Sequence, residues 1–165
     1  MIPKVAELAQ RLETLSDQEI TAILAFHVLH RPAAQEICDI EADGERLRFD
    51  VDALNAHLDA HPNLFPIGAF PLDDDTVGHV FSERFVEFER AASIRYAPNA
   101  QEILLSPTTM VEHGGENMLI DGANRVAVLA SMDLPAARAR VAPEAVWRRF
   151  LLPIEGPGVR PFATR

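Results

Sequence analysis

Residues 118–141 read MLIDGANRVAVLASMDLPAARARV. An apolar strand, Asn117–Ile120, runs into the turn Asp121-Gly122-Ala123, and a helix is expected from about Asn124 to Met132. Leu134-Pro135 stops that helix, and Ala137–Ala142 reads as a further short strand. A strand, a tight turn, a helix and a strand in close succession form an α/β unit. Gly122 permits the tight turn and lets a ligand approach the backbone closely. The first-turn amides of the following helix are free donors with partial positive charge, and Arg125 sits among them. Together they suit a phosphate or carboxylate. The same pattern also serves as plain turn chemistry in α/β domains.

Upstream, Thr108–Glu112 is strand-like and His113-Gly114-Gly115-Glu116 is a turn, so a hairpin leads into this unit. Glu102–Leu105 also reads as a strand. Residues 76–96 read as one helix with Val80, Phe81, Phe85, Phe88 and Ile94 inward, ended by Ala97-Pro98-Asn99. Leu64–Phe70 reads as a strand broken by Pro66 and Gly68, entering the loop Pro71-Leu72-Asp73-Asp74-Asp75. Downstream, Pro143–Leu152 reads as a last helix with Val146, Phe150 and Trp147 inward, and residues 153–165 as a loose tail.

The first 61 residues have a different character. Val5, Leu8, Leu12 and Leu15 mark a helix over 4–15, and Ser16-Asp17-Gln18-Glu19 is a capping box opening a second helix that ends near Arg31-Pro32. The two are expected to form an αα-hairpin. Ala34–Glu41 and Arg46–Asp50 flank Asp43-Gly44, a β-hairpin signal. Asp50 or Asp52 then caps a helix over Val51–His61, stopped by Pro62. The organisation expected is a helical and hairpin region over 1–61, packed on the same domain, followed by an α/β domain over 62–152 and the tail 153–165.

The chain has 165 residues, 48% hydrophobic and 24% charged, which is the composition of one globular domain. Its formal net charge is −10, carried by residues 1–105. A surface of that sign repels phosphate backbones, so bulk nucleic-acid binding is disfavoured. The lone cysteine, Cys38, excludes a disulfide framework and a cysteine-rich zinc module. No apolar run approaches a membrane span, and Met1-Ile2-Pro3-Lys4 leads into an amphipathic helix rather than a signal peptide. A reducing cytoplasm is the expected location.

The pattern of residues 118–141 resembles the signature of the ParB/sulfiredoxin-like superfamily, in which a strand precedes D-G-x-H-R or G-E-R-R, a helix of small residues and a further strand of the I-P-A-R-V type. The likeness extends back to Leu64, with LFPIGAFPLDDD (64–75) as the first family strand and its loop, VGHVFSERFVEFERA (77–91) as the next helix and EILLSPTTMVEHGGE (102–116) as the strand pair. The resemblance implies a small mixed sheet with flanking helices, an α/β (α+β) class, and a site that wraps the phosphates of ATP or CTP with Mg²⁺ alongside. Its nearest pattern is that of small free-serine kinases. This implies an ATP-dependent phosphotransferase acting on a small hydroxylated substrate, with Asp121, Gly122, Ala123, Asn124 and Arg125 holding the nucleotide and Asp121 orienting the loop or the metal. Asn124 stands where the family has histidine; it can donate a hydrogen bond but cannot transfer a proton. No cysteine stands at the motif, which disfavours sulfinic-acid reduction.

A transferase of this type needs a carboxylate for the attacking hydroxyl and others for the metal. Asp73, Asp74 and Asp75 lie in the loop where the kinases place an acidic pair; a solvated loop with Asp75 capping the next helix is the simpler reading. His113 could reach a bound nucleotide if its turn folds over the site, or lie exposed on the hairpin. His57 and His61 share a helix face at i, i+4, as do His27 and His30 at i, i+3, and both pairs read as polar helix ends. Arg138, Arg140, Arg148 and Arg149 could line one face near Arg125. Two other functions stay open: a non-catalytic module binding a ligand or a protein partner on the same scaffold, and a DNA-partition or nuclease-like role that the net charge opposes.

Overall fold

A computed structural model describes residues 1–29, 36–84 and 86–154, with the backbone alone at 28 and 29. The expected helix end at Arg31-Pro32, His30, the first residues of the Ala34–Glu41 segment, Phe85 and the tail from 155 onward lie outside the described residues.

The chain opens with α1 (Pro3–Glu13) and α2 (Asp17–Leu29). The capping box at the start of α2 forms reciprocally: the Glu19 amide donates to Ser16 Oγ and the Ser16 amide to Glu19 Oε1, each at 3.1 Å. The helices do not pair with each other as a hairpin would; α1 docks on helices of residues 88–96 and 123–131, and α2 on the former. Phe26 is left 56% exposed on α2.

Two strands, β1 (Ile37–Ala42) and β2 (Glu45–Asp50), form a separate antiparallel sheet. Asp43 and Gly44 both have positive φ (52° and 75°), the two-residue turn that the Asp-Gly pair favours. Asp50 caps α3 (Val51–Ala60), accepting from the Ala53 amide at 3.0 Å. The chain then bends through Leu64, 69% exposed, and buried Phe65, so the strand expected over 64–70 shortens to β3 (Gly68–Pro71).

The single helix expected over 76–96 is two, α4 (Asp74–Glu83) and α5 (Phe88–Tyr96). The chain turns extended at Arg84 (φ −122°, ψ 155°), which sends its side chain inward to the Leu119 carbonyl. The stretch expected as strand Glu102–Leu105 is instead α6 (Ala100–Leu105). Asn99 accepts its first amide bond and Pro107 lies beyond its end. Its last carbonyls find arginine partners: Arg138 Nη1 donates to Leu105 O and Arg125 Nη1 to Ser106 O, both at 3.1 Å.

From residue 108 to 142 the chain follows the reading. The strands β4 (Thr108–His113) and β5 (Glu116–Asp121) form a hairpin with positive φ at Gly114 and Gly115. Then come α7 (Ala123–Ser131), β6 (Ala136–Ala142), a short α8 (Glu144–Trp147) and a 3-10 turn, Arg148–Phe150. The expected last helix is thus cut short, and Leu151 bridges to Phe49 of β2.

The main sheet is mixed, in order β3-β6-β4-β5, with β6 parallel to β4 and the other neighbours antiparallel. Among the described residues the class is α/β with one two-stranded and one four-stranded sheet and flanking helices, as expected. One face carries β1–β2, α3 and α8 around Phe49, Leu54, Val111, Ile120 and Trp147. The other carries α4 and α7, with Val80, Met110, Leu119, Val126 and Leu129 between them and the sheet. Outside that layer, α1 and α5 bury Leu8, Leu12, Ala91 and Ala92 against α7. Among the described residues no helix is long and apolar enough to cross a membrane.

Candidate functional site

The motif sits where β5 ends and α7 begins. Between Thr109 and Met110 the hairpin register slips: Met110 faces Leu119, but Thr109 faces Asp121. Two residues, Ile120 and Asp121, thus oppose one. Strict alternation would put Asp121 on the α7 face with Leu119, whereas the bulge turns its carboxylate toward α3. There Asn55 Nδ2 donates to Asp121 Oδ2 at 3.1 Å, while Asn55 Oδ1 accepts from the Thr109 hydroxyl. Arg140, paired with Thr109 across the parallel strands, completes the row; it holds Asp59 and reaches Asn55 at 3.5 Å. Three neighbouring strands therefore present Asp121, Thr109 and Arg140 side by side to one polar face of α3.

Arg125 closes this network from the helix side. Its Nη2 donates to Asp121 Oδ2, and its Nη1 to the carbonyls of Ser106 and Pro107, all at 3.1 Å. Gly122 has φ +105°, and a Cβ there would lie 2.6 Å from Thr108 Cγ2 and 3.1 Å from Arg125 Nη2. Thr108 and the guanidinium thus fill the hollow of the bend. The donors still open are backbone ones: among the described residues, the amides of Ala123, Asn124 and Arg125 have no recorded acceptor. Asn124 Oδ1 accepts the Glu87 amide at 2.9 Å, which draws the start of α5 up to the start of α7. Glu36 stands close by, its carboxyl held above the usual carboxylate range by desolvation and then by Asp121, with Arg90 and Arg125 pulling the other way. An open cleft of about 540 Å³ shares Ser106 and Pro107 with the Arg125 clamp and is bordered by Glu102, Leu105 and Arg138.

Other expected site residues fall elsewhere. Asp73 accepts the Thr76 amide at 2.8 Å, capping α4 in place of Asp75, and that bond holds its carboxyl below the usual range. Asp74 faces the N-terminal amine at 3.7 Å. All three acids are exposed. Because α4 runs antiparallel to α7, Val80 meets Val126 while Val77 meets Ala130. The acidic triplet therefore lies at the far end of α7, roughly 12 Å of helix axis from the motif. His113 is at the other end of β5 from Asp121, roughly 17 Å along the strand, and packs on Trp147. The arginines expected near Arg125 diverge: Arg138 borders the cleft, Arg140 turns to Asp59, Arg148 pairs with Glu45 and Glu144, and Arg149 with His57. Sequence reading missed Asn55, Thr109 and Glu36. A polar residue on the inner face of α3, one helical turn from Leu58 and Val51, was the available signal for Asn55.

Of the two roles expected of Asp121, orienting the loop and holding the metal, its contacts serve the first. Its Oδ2 already accepts from two donors, and no group of three His, Cys, Asp or Glu able to hold a metal ion occurs among the described residues. Cys38, buried beneath the site, has its thiol pushed up to about 12 by desolvation, which keeps it unreactive. No family model matches the chain, and no curated protein or solved structure matches it.

The two helix histidines form a contact of their own. His57 Nε2 meets Arg149 Nη2 at 3.0 Å, and the His57 and His61 rings lie 4.5 Å apart. Desolvation, then His61 and Arg149, hold His57 below its usual value. The unfolded chain therefore binds this proton more readily. The stability of the neutral contact is complete above about pH 6.5 and is lost as pH falls through the lower folded value. On acidification the thermal midpoint of the wild type should fall more steeply than that of His57→Gln by circular dichroism; parallel slopes would refute this.

Proposed function

We propose that the chain is a non-catalytic module that binds an anionic ligand, the phosphate group of a nucleotide such as ATP or CTP, at the first turn of α7. The single observation carrying this reading is the set of three unaccepted amides at Ala123, Asn124 and Arg125, at the positive end of a helix whose start meets that of α5. The reading extends the likeness of residues 118–141 to the ParB/sulfiredoxin-like superfamily. In it the backbone does the binding, Arg125 and Asp121 keep the bend rigid, and any Mg²⁺ arrives with the phosphates rather than on a protein site.

Binding is favoured over phosphotransfer because Asp73, Asp74 and Asp75 stand at the opposite end of α7 and Asn124 carries no transferable proton. A transfer reading, with ATP and a small hydroxylated substrate, would have to take its base from Glu36 beside Asp121.

Asn124→Asp tests the proposal. The substitution keeps the oxygen that accepts the Glu87 amide and adds a negative charge beside the open donors. Stability should hold or rise by about 0.3–1 kcal/mol through the helix dipole. Nucleotide affinity should drop about tenfold or more, equivalent to ~1.4 kcal/mol. Calorimetry with ATP, CTP and ADP in the presence of Mg²⁺ reads this directly. No heat from the wild type at millimolar nucleotide, or equal affinity in the variant, removes the proposal. Turnover that disappears in Glu36→Gln would favour the transferase instead.

A further inference from the structure

We propose that His113 is a proton-operated clamp that joins the tips of the two hairpins to α8. Its ring is only 12% exposed, on a face remote from the α7 site. Nε2 lies 3.3 Å from Asp43 Oδ2 in the β1–β2 turn, and Nδ1 lies 3.6 Å from Glu144 Oε2 on α8. Neither nitrogen is aligned into a hydrogen bond. The backbones on both sides are fixed by tight turns, with positive φ at Asp43, Gly44, Gly114 and Gly115. The tips touch: a Cβ on Gly114 would lie 3.4 Å from Asp43 Oδ2.

The stereochemistry of imidazole makes this arrangement a switch. A neutral ring carries one N–H and one lone pair, so in either tautomer a lone pair faces a carboxylate. Only the imidazolium donates toward both acids at once. The other charged groups around it are accounted for. Glu45 on β2 gives both its oxygens to Arg148, and Glu144 gives Arg148 its second oxygen, Oε1. Arg148 stands over the Trp147 ring at 4.7 Å and is the opposing cation. Glu112 adjoins His113 on β4, and Glu116 pairs with it across the hairpin. Asp43 has no cation but His113 among the recorded ion pairs of the described residues. On protonation His113 draws Asp43 and Glu144 inward, and the two tips close with α8 over Trp147. On deprotonation that double attraction is lost and the two tips loosen, while Trp147 and Arg148 keep α8 docked.

The molecule carries its own reporter. Trp147 is the sole tryptophan, and the His113 ring meets it edge-on at 5.7 Å. A protonated imidazole at that range quenches indole emission. Emission of the intact chain should therefore fall through one transition as pH is lowered across the histidine range. His113→Gln should abolish the transition. Amide exchange at residues 43–45 and 113–116, corrected for intrinsic rates, should slow on acidification in the wild type and not in His113→Gln. Asp43→Asn, a change at a residue 82% exposed and so tolerated by the fold, should about halve the slowing of amide exchange that acid produces at the two tips, and Asp43→Asn with Glu144→Gln should remove it. A transition that persists in His113→Gln, or acid-slowed exchange at the tips that survives in the double carboxylate variant, overturns the proposal.

Discussion

Gly122→Ala is expected to destabilise the protein by about 2–5 kcal/mol, the sum of roughly 1–2 for a side chain at positive φ and roughly 1–3 for overpacking. The residue has φ +105°, and a methyl would strike Thr108 Cγ2 at 2.6 Å and Cβ at 3.0 Å, with Arg125 Nη2 at 3.1 Å. Thr108 cannot yield easily: it is 1% exposed and its hydroxyl donates to Arg138 O at 3.1 Å. For a chain of this length each kcal/mol moves the thermal midpoint by roughly 2–4 °C, so a fall of about 4–20 °C is expected in a calorimetric scan. Thr108→Ser in the same chain removes the methyl in the way and keeps the hydroxyl. It should restore most of the steric part, the contacts at 3.0 and 3.1 Å remaining, and leave the backbone part lost. A midpoint within about 2 °C of wild type for Gly122→Ala would show that the bend relaxes freely.

The outcome matters for function as well as stability. A glycine at a strand–helix bend invites the thought of a phosphate approaching the backbone. Here Thr108 occupies that space, so the glycine is required without any ligand. Arg125 is similar: it satisfies two carbonyls and balances Asp121. Truncating it would leave all three groups short of partners in a half-buried place, costing about 1–3 kcal/mol. A loss of binding in Arg125→Ala would therefore not separate ligand contact from loss of the bend. Asn124→Asp does separate them, because it alters charge at constant shape.

The second large effect is expected at Trp147, which is fully buried. Its ring lies 5.4 Å from Phe49, and its Nε1 donates to Glu112 O at 2.7 Å, so it fastens α8 to both the β1–β2 hairpin and the edge of β4. Trp147→Ala should cost about 3–5 kcal/mol, from lost burial and the cavity left behind. Trp147→Phe keeps most of the packing but leaves the Glu112 carbonyl unpartnered, costing about 1–3 kcal/mol. Urea denaturation followed by far-ultraviolet circular dichroism should show a lowered midpoint with an unchanged slope in both variants. An alanine variant losing less than the phenylalanine one would mean that α8 is a peripheral strap and not a keystone of this core.

Much of the fold is legible wherever a short-range signal is strong enough to stand alone. Ser16 and Glu19 satisfy each other's backbone amides within one turn. Asp-Gly at 43–44 and Gly-Gly at 114–115 supply the positive φ that a two-residue hairpin demands. Asp50 caps α3 with its own side chain. The β5–α7–β6 unit follows because alternation, a glycine turn, helical spacing and a proline stop agree over consecutive residues.

The failures lie where distant groups overrule local preference. Nothing between residues 76 and 96 breaks a helix by composition, yet the chain opens at Arg84 so that its guanidinium can meet the Leu119 carbonyl on the outer strand. Residues 103–105 are a short apolar run behind Glu102, which suits strand and helix equally. The arginines of β6 and α7 that take up the neighbouring carbonyls favour the helix.

The sequence by itself determined the succession of elements from residue 108 to 142, the hairpin turns, the caps of α2 and α3 and the donor-rich first turn of α7, because each is settled by neighbours along the chain. The tertiary structure alone decided which polar groups share a site. A one-residue slip between β4 and β5 turned Asp121 from one face of the sheet to the other, into the reach of Asn55, and the antiparallel course of α4 along α7 carried Asp73, Asp74 and Asp75 to the opposite end. Register and helix direction are set by how whole faces bury their apolar side chains, a property that no local run of residues possesses.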